Sequence, residues 1–136
     1  MFVWGSARPS RSEWVYLLRR GPENLRGCGE LPRATANQLV LRAAIEGLRR
    51  SKESARINLQ TNSEYLSKGI EHGLAVWPRR GWKTAAGRAV ENLDLWQELL
   101  CLLKDRAVRV VPGAPPEEIK GAARGTVPTK RNTGKD

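Results

Sequence analysis

Residues 34–54, ATANQLVLRAAIEGLRRSKES, place Leu41, Ala44, Ile45 and Leu48 at i, i+3, i+4 and i+7. That spacing lines one face of a helix with aliphatic carbon, and Arg49, Arg50 and Lys52 stand in its last turns, where cations complement the helix dipole. A helix with a single apolar face needs another layer to cover it. Strand-like runs on both sides supply one. SEWVYLL (12–18) and the segment around Leu25–Leu31 read as strands separated by the turn Arg20-Gly21-Pro22-Glu23-Asn24, and INLQT (57–61) reads as a third. With the short apolar start Phe2–Trp4, the first strands predict an antiparallel meander.

Beyond Thr61 the chain leaves its strand at Asn62, a position where open α/β sheets place their chemistry and where an amide also serves as the cap of a helix running from Ser63 to about His72. PRRGWKTAAGR (78–88) reads as a basic loop carrying Arg79, Arg80, Lys83 and Arg88 with no acid among them. ENLDLWQELLCLLKD then repeats a helical period through Leu93, Trp96, Leu100 and Leu103, with Asn92 or Asp94 as its cap. AVRVV (107–111) is a strand, and GAPPEEIKGAAR (113–124) forms one short helix. Three strands, helix, strand, helix, basic loop, helix and strand make an α/β arrangement of the α+β kind, a mixed sheet with helices packed on it. At 136 residues the chain has room for one core. We expect one domain over residues 1–124 and a polar, basic, aperiodic tail, disordered, over 125–136.

Lys and Arg outnumber Asp and Glu by 24 to 14, a formal charge of +10. Such a surface attracts polyanions, nucleic acid first. No apolar run is long enough to span a bilayer, and the opening MFVWGSARPSRSEW lacks the apolar centre of a signal peptide, so no membrane partner is expected. Cys28 and Cys101 lack zinc-ligand spacing, and His72 is the single histidine. Two ordinary buried thiols in a reducing, intracellular compartment, cytoplasmic or else nuclear or organellar, follow from that. A transition-metal site, a serine triad and a cysteine–histidine pair are all disfavoured, since His72 has no evident partner.

Three segments carry a closer likeness. GIEHGLAVWPRRGWKTAAGRAVENLDLWQELL, TANQLVLRAAIEGL and TNSEYLSKGI resemble the type 1 ribonuclease H family, the ribonuclease HI enzymes that cut the RNA strand of RNA/DNA hybrids. The first looks like the family's helix, basic protrusion and following helix almost position by position. The likeness runs over about residues 2–124 and implies a ribonuclease H-like fold: a five-stranded mixed sheet flanked by helices, with a basic protrusion. It also implies a chemistry. The family holds two divalent ions, Mg²⁺ or Mn²⁺, about 4 Å apart on four carboxylates. By the resemblance those positions fall on Trp4, Val40, Asn62 and Lys120, and the family's loop histidine falls on Ala114. The family's Gly-rich first turn is replaced by ARPSR. None of these residues is a carboxylate, so the expectation is a member without metal cofactor that does not cleave hybrids. Val40 then packs against Trp4, and Lys120 is exposed.

The same alignment places a DNA-phosphate pocket on Arg33, Thr35 and Asn92, all of the family's residue types, and an aromatic channel on Tyr65, Gly73 and Trp77, two of whose three aromatics are kept. Of the residues that read ribose hydroxyls, one position is Ala36 and its neighbour is Asn37. Arg79, Arg80 and Lys83 add cations beside interleaved tryptophans. Each has a plainer alternative: Trp77, Trp82 and Trp96 as core of the protrusion, and the cations as a solvated face. The resulting expectation is a non-catalytic nucleic-acid-binding module for an RNA/DNA hybrid or duplex. The alternatives are a scaffold inside a protein assembly, an active hybrid-cutting enzyme using acids such as Glu117 and Glu118, and a decaying copy.

Overall fold

The structure, a computed structural model, describes residues 1–8, 11–20 and 23–111. The expected short helix, the tail, Ala114, Glu117, Glu118 and Lys120 lie outside the described residues. Five strands form one sheet in the order β3-β2-β1-β4-β5: β1 Phe2–Arg8, β2 Arg11–Arg20, β3 Glu23–Glu30, β4 Arg56–Thr61 and β5 Ala107–Val110. The first three pair antiparallel as the expected meander, while β4 lies parallel to β1 and β5 parallel to β4. β1 extends well past the apolar start read from the sequence, because ladder bonds to β2 continue through Ala7↔Ser12 and Arg8↔Arg11.

Helix α1 (Ala36–Arg50) begins at Thr35, whose Oγ1 accepts from the Gln38 N–H while the Gln38 side chain accepts from the Thr35 N–H. That reciprocal capping box satisfies two donors a bare helix start would leave open. Leu41, Ala44, Ile45 and Leu48 are all fully buried. They meet Val3, Tyr16, Leu18, Ile57 and Leu59 from the sheet in one core cluster. Helix α4 (Leu93–Lys104) lies beside α1 and contributes Trp96 and Leu99.

The two helices are joined at their C-terminal ends by Arg106. Its Nε donates to Ser51 Oγ at 2.7 Å, and its two terminal nitrogens donate to the carbonyls of Leu102 and Ser51 at 3.1 and 3.0 Å. Arg49 and Arg42 add ion pairs to Glu46 and Glu98 along the same seam.

Four expectations need correction. Asn62 is exposed and does not cap the following helix; Ser63 does, with its Oγ accepting from the Leu66 N–H at 3.1 Å. The helix read as ending near His72 is α2 (Glu64–Lys68), which widens into a π-turn (Gly69–Gly73), returns to α3 (Leu74–Val76) and tightens into a 3-10 turn (Trp77–Arg80). The basic loop starts inside that 3-10 turn, and its remainder closes on itself as a small hairpin: Val90 N–H donates to the Trp82 carbonyl, Thr84 N–H to the Arg88 carbonyl and Gly87 N–H to the Thr84 carbonyl, with Val90 buried. Of the two thiols, Cys28 is half-buried and Cys101 is exposed on α4, so neither is a core residue.

Candidate nucleic-acid interface

Three of the four positions matched to metal-holding carboxylates meet at one end of the sheet. Val3 pairs with Thr61 across the parallel β1/β4 ladder, which puts Trp4 and Asn62 one step further along at the same level. The Thr61 hydroxyl ties the two strands there, donating to the Val3 carbonyl and accepting from Ser63 N–H. A Cβ placed on Gly5 would lie 2.8 Å from the backbone nitrogen of Val40, so α1 comes down on β1 beside Trp4. Val40 is 3% exposed and part of the core cluster. Chemically the set is an isopropyl group without a lone pair, a neutral amide and an indole that only donates. A site for two hard cations needs anionic oxygens, and these three residues do not fit one.

Next to this end lies a hydrogen-bonded chain that the sequence did not reveal. Gln38 donates from Nε2 to Asn92 Oδ1 at 3.2 Å while holding Thr35 through the capping box. Asn92 in turn donates from Nδ2 to the Tyr65 hydroxyl at 3.0 Å, and Trp96 Nε1 donates to the same oxygen at 3.0 Å. Asn92 thus stands at the cap position of α4 but spends its side chain on the network and makes no cap bond. Its left-handed backbone, φ 59°, is one that asparagine tolerates better than most residues. Thr35, Asn92 and Tyr65, matched separately to the phosphate pocket and the channel, therefore belong to one assembly. Gln38 is the residue sequence reasoning missed, and the spacing Thr35-x-x-Gln38 was the available signal for half of its role.

Arg33 is exposed, with a left-handed backbone (φ 65°), two residues ahead of the helix cap. Asn37 is half-buried in the first turn of α1, where Ala36 is exposed. Arg79, Arg80 and Lys83 are exposed on the protrusion, and Trp77 and Trp82 are half-buried against the core. Trp96 is 1% exposed and so is core, as the plainer reading had it. The rings of Trp77 and Trp96 meet edge to face with centroids 5.2 Å apart, Tyr65 and Trp96 at 5.5 Å, and Trp77 and Trp82 at 6.3 Å. Gly73 lies under the Trp77 ring, so the third channel position is covered by its neighbour's side chain.

The sequence profile of the RNase H family matches residues 1–113. Ribonuclease H of Chlorobium chlorochromatii is 42% identical over 105 residues, spanning 76% of this chain and 72% of that protein. Ribonuclease H of Marinobacter nauticus is 44% identical over 103 residues, spanning 73% and 69%. Among solved structures, a type 1 RNase H with the type 2 active-site motif superposes with a TM-score of 0.66 at 25% identity, over 93% of this chain and 72% of that one. The RNase H1 of the archaeon Halobacterium salinarum shares the fold with a TM-score of 0.61 at 18% identity, over 96% and 95%. With the profile covering most of its length and relatives above two-fifths identity, this chain belongs to the ribonuclease H family.

Proposed function

We propose that the chain is a non-catalytic member of its family that holds nucleic acid, an RNA/DNA hybrid or duplex, by the phosphate backbone through a module spanning residues 1–124. One observation carries the reading. The Thr35–Gln38–Asn92–Tyr65–Trp96 network is complete, beside the β1/β4 end, where Asn62 and, on α1, Val40 occupy positions that the resemblance assigns to carboxylates.

The donors suit a phosphate. Thr35 Oγ1 accepts one bond inside the capping box and keeps its own hydrogen to donate. Asn92 Nδ2 uses one hydrogen on Tyr65 and keeps the second. Arg33 brings a guanidinium, whose planar fork matches two phosphate oxygens. On the protrusion, Arg79, Arg80 and Lys83 extend positive charge along a backbone without reading its sequence. No step of bond cleavage is assigned to any residue, since neither a ligand set for two metals nor a paired acid and base is present at the β1/β4 end among the described residues.

The test is a paired assay on clean protein: titration of a labelled RNA/DNA hybrid, and incubation of the same hybrid with Mg²⁺ or Mn²⁺. Binding with intact RNA is the expected result. The relatives' shared name, Ribonuclease H, favours a second reading, metal-dependent cleavage. RNA cut only when metal is present would establish that second reading and overturn the first. Absence of both binding and cleavage would leave the fold as a scaffold for a protein partner.

A further inference from the structure

On one side the sheet ends at β5, which pairs with β4 and, among the described residues, with no other strand. The Ala107 N–H donates to the Ala55 carbonyl and the Val111 N–H to the Leu59 carbonyl, each at 2.9 Å. Backbone polar groups alternate in direction along a strand, so the odd-numbered residues of β5 turn theirs toward β4 while Val108 and Val110 turn theirs outward. The edge thus offers donors and acceptors in alternation. Another extended peptide matches that row. A phosphate backbone, whose oxygens only accept, leaves the carbonyls unmatched.

The two faces beside this edge differ. Val108 and Val110 are half-buried and share the core face with buried Ile57 and Leu59, their partners in the ladder. On the opposite face Arg56, Asn58, Ala107 and Arg109 are all exposed, with Arg56 beside Ala107 and Asn58 beside Arg109. Neither strand contains an Asp or a Glu. Arg42 and Arg49 on α1 lie against carboxylates, whereas Arg56 and Arg109 have none within ion-pair distance among the described residues. A strand laid along β5 with apolar side chains on one face and carboxylates on the other would cover the valines and meet Arg109 directly, with Arg56 one strand further in.

We infer that the β5 edge takes an extended polypeptide partner in which apolar residues alternate with Asp or Glu, added as a further strand. This goes beyond the nucleic-acid reading and does not depend on it. Main-chain bonds to Val108 and Val110 would supply affinity, and the alternation of side chains would supply selection. A second copy of this chain is a poor occupant, because AVRV brings only positive charge to the contact and each copy carries a formal +10. A cation inside a short edge strand guards against self-pairing, and the same cation selects a strand that bears acids.

The probe is an acetylated, amidated octapeptide of alternating valine and glutamate, titrated against the full chain. Its controls are the block peptide of the same composition and the alternating valine–lysine peptide. The alternating glutamate peptide is expected to bind on the order of tenfold more tightly than either control, and amide exchange at Val108 and Val110 is expected to slow when it binds. Val110→Pro removes one outward N–H and no ladder bond, and is expected to abolish peptide binding while the hybrid titration stays unchanged. Arg109→Glu is expected to turn the preference toward the lysine peptide. Equal affinity for the glutamate and block peptides, or unchanged exchange at Val108 and Val110 in the bound state, overturns the inference. So does displacement of the peptide by an RNA/DNA hybrid, which would place the acids on the nucleic-acid surface. A dimer in sedimentation without peptide, dissociated by Val110→Pro, gives the edge to a second copy and overturns it as well. Should Val110→Pro not fold, the peptide comparison and the exchange rates of the wild-type chain decide the question without it.

Discussion

The Tyr65 hydroxyl makes three hydrogen bonds in the candidate interface. It accepts from Asn92 Nδ2 and Trp96 Nε1 and makes a long bond to the Glu91 carbonyl. Tyr65→Phe keeps the ring and removes all three, stranding the indole N–H of a tryptophan that is 1% exposed. The expected loss is about 1–3 kcal/mol, the penalty for a buried donor left without a partner, read as a lower urea midpoint with an unchanged slope. A midpoint equal to wild type would show that water replaces the hydroxyl. The aromatic character of Tyr65 was legible from its resemblance to a channel residue. The hydroxyl's role was not, because its partners lie 27 and 31 positions away in sequence. Local pattern carries no trace of such a contact. Asn62 shows the converse error: strand exit plus amide reads as a cap, yet the hydroxyl of Ser63 takes that place in the structure.

At the scale of elements, period and breakers placed the three-strand meander, α1, β4, α4 and β5, since each buries a face that its own spacing defines. The run from Glu64 to Arg80 resisted such reading. Its changes of winding occur where Gly69 and Gly73 admit the Trp96 and Trp77 rings, and one of those rings belongs to another helix. The hairpin of the protrusion was hidden for a related reason: its closing bond joins Trp82 to Val90 and depends on Val90 being buried. Between α1 and α4, Gln38 is expected to act as a positioning residue. Gln38→Glu keeps an acceptor for the Thr35 N–H but loses the donor to Asn92 and sets a carboxylate against its carbonyl oxygen. We predict near wild-type stability for this variant, helped by negative charge in the first helical turn, together with weakened hybrid binding. Gln38→Ala should weaken binding as well and also lower stability by about 1–3 kcal/mol, the net worth of the two hydrogen bonds it removes. Thermal melts beside hybrid titrations separate the two effects, and a Glu variant that binds like wild type would remove Gln38 from the interface.

For the whole molecule, the charge of +10 makes binding a matter of counterions. If backbone contacts dominate, the logarithm of affinity should fall linearly with the logarithm of salt concentration, by roughly 0.9 per phosphate neutralised on B-form DNA. Replacing Arg79, Arg80 and Lys83 together with Gln should flatten that slope and weaken all sequences alike. A slope unchanged by the triple replacement would mean that these cations form a solvated face. The frame that carries these charges has one further property. Gln38 and Asn92 join α1 and α4 where both helices begin, and Arg106 joins them where both end. The pair therefore runs parallel and is pinned at each extremity, which resists sliding of one helix along the other. The separation between the cap of α1 and the rings of Tyr65 and Trp96 is set before any ligand arrives. For the proposed backbone reading, such a frame acts as a caliper that holds Thr35 and Asn92, joined through Gln38, at one fixed spacing.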